Sequence, residues 1–269
     1  MNMNKITDLI DYNDTCHEYS NRATGKLLAG VSTVCGILDK PYLKAWAVKM
    51  AAEYALKNYE VGMNKTDFEK MITEAKKQHT VRLKEAGQTG TDMHAVLEEH
   101  VLARMSGNTD SLKIENEMQL YAYNQFLNWE RDNNVKWRGC EMLIGDIDNE
   151  FAGRLDAVAE VDGTLTMIDF KTSNQISEEY HLQTAGYVAG LRWMAKQGMI
   201  KKVPAARLII RLPKTLTKEV YDRKTKKYHT EPNELEIYPV KTDLEFDIET
   251  FLACRKVFKW RNQNLLKKD

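Results

Sequence analysis

"GRLDAVAEVDGTLTMIDFKTS", residues 153–173, is the stretch on which the fold turns. Two strand-like runs flank Asp162 and Gly163, and Asp-Gly is a favoured pair for a two-residue type I′ hairpin turn, in which both central residues take positive φ. That turn sets Asp156 directly across from Asp169, and Lys171, two residues on, shares their face. Opposed side chains in such a pair have Cβ atoms about 4.5–5.5 Å apart, where like charges are destabilising. The other face carries Leu155, Ala157, Ala159, Val161, Ile168 and Phe170, a good core surface, so the acids are expected to face away from a core. Two carboxylates this close share a proton or hold a cation between them, and a hard divalent metal is the natural guest. The same pattern also describes a solvent-facing sheet whose acids pair with Arg154 and Lys171.

The preceding turn adds a supporting residue. With Asp148 and Asn149 as loop residues, Glu141 falls beside Asp156 in the neighbouring strand, although "GDIDNE" allows other loops. Working outward, residues 135–172 form three strands broken at "DIDNE" and "VDGT". A helix follows over residues 177–198, with acids in its first turn and Lys196 in its last, in keeping with the helix dipole. Then come the buried strand "ARLIIRLP", the basic hairpin "EVYDRKTKKYH", the strand "ELEIYPV" and a closing helix over residues 247–268. Upstream, residues 112–131 show helical spacing of Met118, Tyr121, Phe126 and Trp129.

Residues 32–105 also read as helical. Ser32 starts a short helix, Asp39 with Pro41 starts a second, and Thr66 with Glu69 makes a capping-box pattern for a third that stops at Gly87. A fourth opens at "TGTDMHAVLEEHVLARM", which puts His94 in its first turn, where the dipole disfavours imidazolium. The domains expected are a helical N-terminal region, residues 1–88, covering the site, and an α/β core, residues 89–269.

Bulk properties narrow the class. The 269 residues are 43% hydrophobic and 29% charged, with 39 basic and 39 acidic side chains, so no global field announces a polyanion and any such site must be local. Cys16, Cys35, Cys140 and Cys254 form no C-x-x-C pair; they read as four buried small side chains and suit a reducing compartment. No signal-peptide layout opens the chain, and its longest apolar run is too short to span a bilayer. A cytoplasmic protein of a bacterial or phage-infected cell is expected, with no membrane partner.

"GRLD", then "IDFK", then "QTAGY" on the next helix resemble the PD-(D/E)-X-K nuclease superfamily, in particular its RecB-type exonuclease branch. Upstream, "GTDMHAVLEEH" resembles the family's Gly-x-x-x-His helix. "VSTVCGILDKPYLKAWA" is similar to a segment of phage exonucleases and mitochondrial genome maintenance exonucleases. The resemblance implies a restriction-endonuclease-like core, α-β-β-β-α-β, whose mixed sheet is flanked by helices. It implies hydrolysis of DNA phosphodiesters with Mg²⁺ or Mn²⁺, on single strands or free ends, in recombination, repair or phage DNA processing.

Under that resemblance His94, Asp156, Asp169 and the Phe170 carbonyl hold metal, Lys171 orients or deprotonates the attacking water, and Gln183 and Tyr187 position water or DNA. Arg223, Lys224, Lys226 and Lys227, between Tyr221 and Tyr228, are candidate DNA contacts. Some relatives carry an iron–sulfur cluster on one early and three late cysteines; only Cys254 follows the motifs here, so no cluster is expected. No G-x-x-x-x-G-K-[ST] loop occurs, so no nucleotide is expected, and any unwinding would come from a separate helicase or recombination protein. Two other readings stay open: an endonuclease of the same superfamily, and a DNA-binding module built on a silent nuclease fold.

Overall fold

The structure is a computed structural model that describes residues 5–108, 110, 112–114 and 116–263. After a 3-10 turn (Ile6–Asp8) come β1 (Ile10–Asn13), β2 (Glu18–Asn21), β3 (Leu27–Gly30), α1 (Val31–Cys35), α2 (Pro41–Asn58), α3 (Lys65–Ala75), α4 (Gln78–Met105) and α5 (Glu117–Asp132). The order continues with β4 (Lys136–Asp146), β5 (Phe151–Val161), β6 (Thr164–Lys171), α6 (Glu179–Lys196), β7 (Ala206–Arg211), β8 (Thr217–Asp222), β9 (Lys227–Pro232), β10 (Glu236–Pro239) and α7 (Leu244–Arg261). The chain divides into two compact units, residues 1–37 with 93–269, and residues 38–92.

The smaller unit is helical. Pro41 opens α2 at a position whose N–H would lack a partner anyway. Asn64, rather than a Thr66–Glu69 box, caps α3 by accepting from the Asp67 amide.

The larger unit is α/β and restriction-endonuclease-like. β4 and β6 both run antiparallel to β5, β6 is parallel to β7, and β10 closes the edge antiparallel to β7. Asp162 (φ 46°) and Gly163 (φ 82°) both have positive φ, so the hairpin turn is the one that Asp-Gly favours. Its register follows, with Ala157 opposite Ile168 and Val161 opposite Thr164. One face of the sheet packs Phe151, Leu155 and Met167 with Val31 of α1, Tyr187 and Leu191 of α6 and Phe251 of α7. The other packs Ala157, Ile168 and Phe170 with Leu97 and Val101 of α4 and Tyr123 and Phe126 of α5. Each large apolar side chain fully buried this way contributes about 1.5–3 kcal/mol.

Several expectations are corrected. α4 runs unbroken through Gly87 and ends near Gly107 (φ 88°). A glycine stops a helix by entering the left-handed region; Gly107 does so and Gly87 does not. His94 is therefore well inside α4, and the field of a helix start does not act on it. Residues 10–30 form the meander β1–β2–β3, whose last strand lies parallel to the start of β5; four-residue strands are too short to show a period. Leu155 belongs to the α6 face rather than the Phe170 face, and α6 also covers Lys171, whose ammonium lies over the Tyr180 ring. Cys16 is exposed. The expected tail of the closing helix beyond residue 263 lies outside the described residues. No helix among the described residues is long and apolar enough to cross a membrane.

Candidate active site

The site arises from a break in strand pairing. β4 occupies one edge of β5 along almost its whole length, so β3 and β6 share the other edge. β3 pairs with Phe151 and Ala152, and β6 pairs from Ala157 onward. Among the described residues no strand pairs with Gly153–Asp156 on that edge. β6 leaves β5 after Ile168 but stays in register with β7 through Lys171. In the gap the Asp156 carboxylate stands in for the lost ladder: the Phe170 amide donates to its Oδ2 at 2.6 Å.

Three donors converge there. One ligand atom each from His94, Glu141 and Asp156 lies within 4.8 Å of the others, with His94 Nδ1 4.0 Å from Asp156 Oδ1. His94 comes from α4, whose Met93 and Leu97 pack in the α5-side core, and its ring meets Phe170 edge-on at 6.4 Å between centroids. Glu141 reaches in from β4 through an irregular backbone. Cys140 and Met142 hold the expected register against Ala157 and Leu155, while Glu141 itself has φ 46°, rare for a residue with a side chain. Burial, then the nearby Asp156, pushes Glu141 up to about 7, and Arg154, with Nε 2.5 Å from Glu141 Oε2, pulls the other way.

Asp169 stands outside this trio and is fully buried. Its Oδ2 meets Lys171 Nζ at 2.5 Å, and its Oδ1 has no partner among the described residues. Burial pushes Asp169 up to about 7 against the pull of Lys171, and Asp156 adds to the rise. Burial lowers Lys171, but Asp169 and Asp156 outweigh it and hold the ammonium above the usual lysine range. Tyr180 adds its ring face 4.9 Å from Lys171 Nζ, a contact that favours the cation. The sequence reading passed over Tyr180, although its position three residues before Gln183 places it on the same side of α6.

On α6, Gln183 Nε2 donates to the Tyr187 hydroxyl at 3.0 Å. Burial, then Asp169 and Asp156, raises Tyr187 well above the usual phenol value, so it stays a neutral hydroxyl. Its ring lies against the backbone of Gly153: a Cβ there would be 2.9 Å from Tyr187 Cε1 and 3.0 Å from Val31 Cγ2. Gly153→Ala is expected to destabilise the fold by about 1–3 kcal/mol, the usual result of overpacking, and to displace Tyr187. A thermal melt checks this; an unchanged melt would contradict the tight fit.

The remaining basic candidates lie elsewhere. Arg223, Lys224, Lys226 and Lys227 are exposed at the turn of the separate β8–β9 sheet, where Tyr221 and Tyr228 pack across the strands at 5.0 Å.

The donor chemistry fits a hard divalent cation: carboxylate oxygens and one imidazole converge, and a buried carboxylate oxygen lacks a partner. A sequence model of the PD-(D/E)XK nuclease superfamily matches residues 66–263. No curated protein sequence matches the chain. Among solved structures, a crystal structure of LHK-Exo in complex with dAMP is similar at 14% identity and a TM-score of 0.28, over 66% of this chain and 86% of that one.

Proposed function

The chain belongs to the PD-(D/E)XK nuclease superfamily, and from that premise we propose that it is a Mg²⁺- or Mn²⁺-dependent DNA exonuclease acting on single strands or free ends. The observation that carries this reading is the meeting of the His94, Glu141 and Asp156 donors with the buried Asp169–Lys171 pair at one gap in the sheet. His94, Glu141, Asp156, Asp169 and the Phe170 carbonyl would hold the metal. When bound, the ion supplies positive charge that makes water more acidic and offsets charge on the phosphate.

The protein's own groups do the rest. The ion pair with Asp169 keeps Lys171 protonated, so Lys171 donates to the attacking water or to a phosphate oxygen rather than taking a proton. The Tyr180 ring and Asp169 fix its position. Gln183 and Tyr187, joined to each other, present a neutral hydroxyl and an amide that orient water or the strand. Unwinding would come from a separate protein.

The experiment uses end-labelled linear single- and double-stranded DNA, labelled at either end, beside circular single-stranded DNA, with Mg²⁺, Mn²⁺ or chelator. Stepwise loss from linear ends, an intact circle and no cleavage in chelator are expected. A cut circle would replace exonuclease with endonuclease, and cleavage in chelator would overturn the metal-dependent reading.

A further inference from the structure

Arg154 follows Gly153 in the hairpin's first strand, and the metal-binding and acid–base roles proposed above leave it unused. Its Nε sits 2.5 Å from Glu141 Oε2 and its Nη1 3.5 Å from Asp14 Oδ1, so two acids account for two of the five N–H donors of the guanidinium. The flat face lies over the Tyr12 ring at 5.3 Å, and Tyr12 in turn stacks on Tyr19 at 4.8 Å between centroids. An arginine fixed by an aromatic face and by acids at one side is preorganised to offer its remaining donors. The side chain is 37% exposed, and its partner Glu141 belongs to the Glu141–Asp156–His94 cluster.

Charge makes the position matter. Glu141, Asp156 and Asp169 crowd one gap, and a nucleic-acid strand brings more negative charge to it. The chain's 39 basic and 39 acidic residues give no general attraction, so the strand needs a local cation. Lys171 is nearly enclosed, its side chain 14% exposed, whereas Arg154 is accessible and already adjoins a residue of the metal-binding trio.

We propose that Arg154 binds a backbone phosphate of the substrate strand beside the acid cluster, held in position by Tyr12 and exchanging Glu141 for that phosphate when Glu141 turns to a divalent ion. This deepens the nuclease reading by naming its phosphate contact and by giving the β1–β2 hairpin the task of orienting it. Guanidinium and phosphate match in a two-pronged geometry that an ammonium cannot reproduce.

The test is binding of a fluorescent 20-nucleotide oligodeoxythymidine to the full chain, with Ca²⁺ present and across a salt series, for wild type, Arg154→Gln, Arg154→Lys and Tyr12→Leu. Arg154→Gln is expected to weaken binding about tenfold and to lower the slope of log Kd against log salt by about 0.7, the share of one phosphate on a single strand. Arg154→Lys should keep the slope but bind more weakly than wild type, and Tyr12→Leu should weaken binding with its slope unchanged. A purely structural arginine would alter the melting temperature and leave the slope alone. Wild-type affinity and slope in Arg154→Gln would overturn the assignment; if that variant does not fold, wild-type affinity in Arg154→Lys would do so. Cleavage is scored separately: a wild type that binds through Arg154 but never cuts would refute the nuclease reading alone, and one that cuts while binding without Arg154 would refute this inference alone.

Discussion

Asp169→Asn is expected to lower the rate of phosphodiester hydrolysis by about 10²–10³-fold, the usual cost of losing one preorganised electrostatic group. Asn has nearly the same shape, so at a fully buried site the packing survives while the charge is lost. Two effects combine. The proposed metal loses a carboxylate, and Lys171 loses the partner at 2.5 Å that holds its ammonium in place. Lys171→Met, which keeps the length of the side chain without the charge, should cost a similar factor. Single-turnover rates on end-labelled DNA, with near-ultraviolet circular dichroism as the fold control, measure both. Wild-type rates in either variant would remove the pair from the reaction.

Divalent ions should raise the melting temperature more at pH 8 than at pH 5. Asp169 and Glu141 have ordinary values of 3.8 and 4.5, and in the fold both are pushed up to about 7. A group raised in this way contributes stability below its unfolded value and loses it as pH rises through the folded value. Between about pH 4 and pH 7 the metal-free protein therefore gives up stability at these two carboxyls, because they become charged in a buried, crowded place.

Other carboxyls run the opposite way. Glu130 and Glu150 are lowered despite their burial, by His100 and Trp137 in one case and Lys259 and Lys26 in the other. The site's contribution is thus read as the difference between wild type and the double variant Glu141→Gln/Asp169→Asn. A cation relieves the charged state and competes with protons at low pH. At a hundred times its Kd, Mn²⁺ adds about 2.7 kcal/mol, or roughly 5–10 °C for a chain of this size. An equal increment at both pH values, or one that survives in the double variant, would show that these carboxyls do not bind the ion.

Much of this arrangement was legible in local sequence. The Asp-Gly turn dictated the β5–β6 register, and residues 148–149 as a loop dictated the β4–β5 register that brings Glu141 to Asp156. Both rest on two-residue periodicity and turn chemistry, which act over a few positions. What the sequence did not disclose depends on longer contacts. That β6 parts from β5 after Ile168 follows from its pairing with β7, some forty residues away. Full burial of Asp169 depends on α6, and the Tyr180 contact on how that helix turns. His94 was found by motif for one wrong physical reason: the helix start expected near it is absent, because Gly87 stays helical. The short strands β1–β3 were missed because four residues cannot establish a period, and with them went the Tyr12 surface that holds Arg154.

The interrupted edge of β5 makes the site intolerant of changes in spacing. A residue added at Asp162–Gly163 would lengthen a loop whose Gly163 has open space around it. A residue added between Ala157 and Val161 would reverse the inside-out alternation of everything before it, because neighbouring strand positions point to opposite sides. Asp156 would then swap sides with Leu155 while Asp169 stayed fixed by β7. Five strand residues thus keep two carboxylates in phase, and changes in length can accumulate at the hairpin tip but not along its stem.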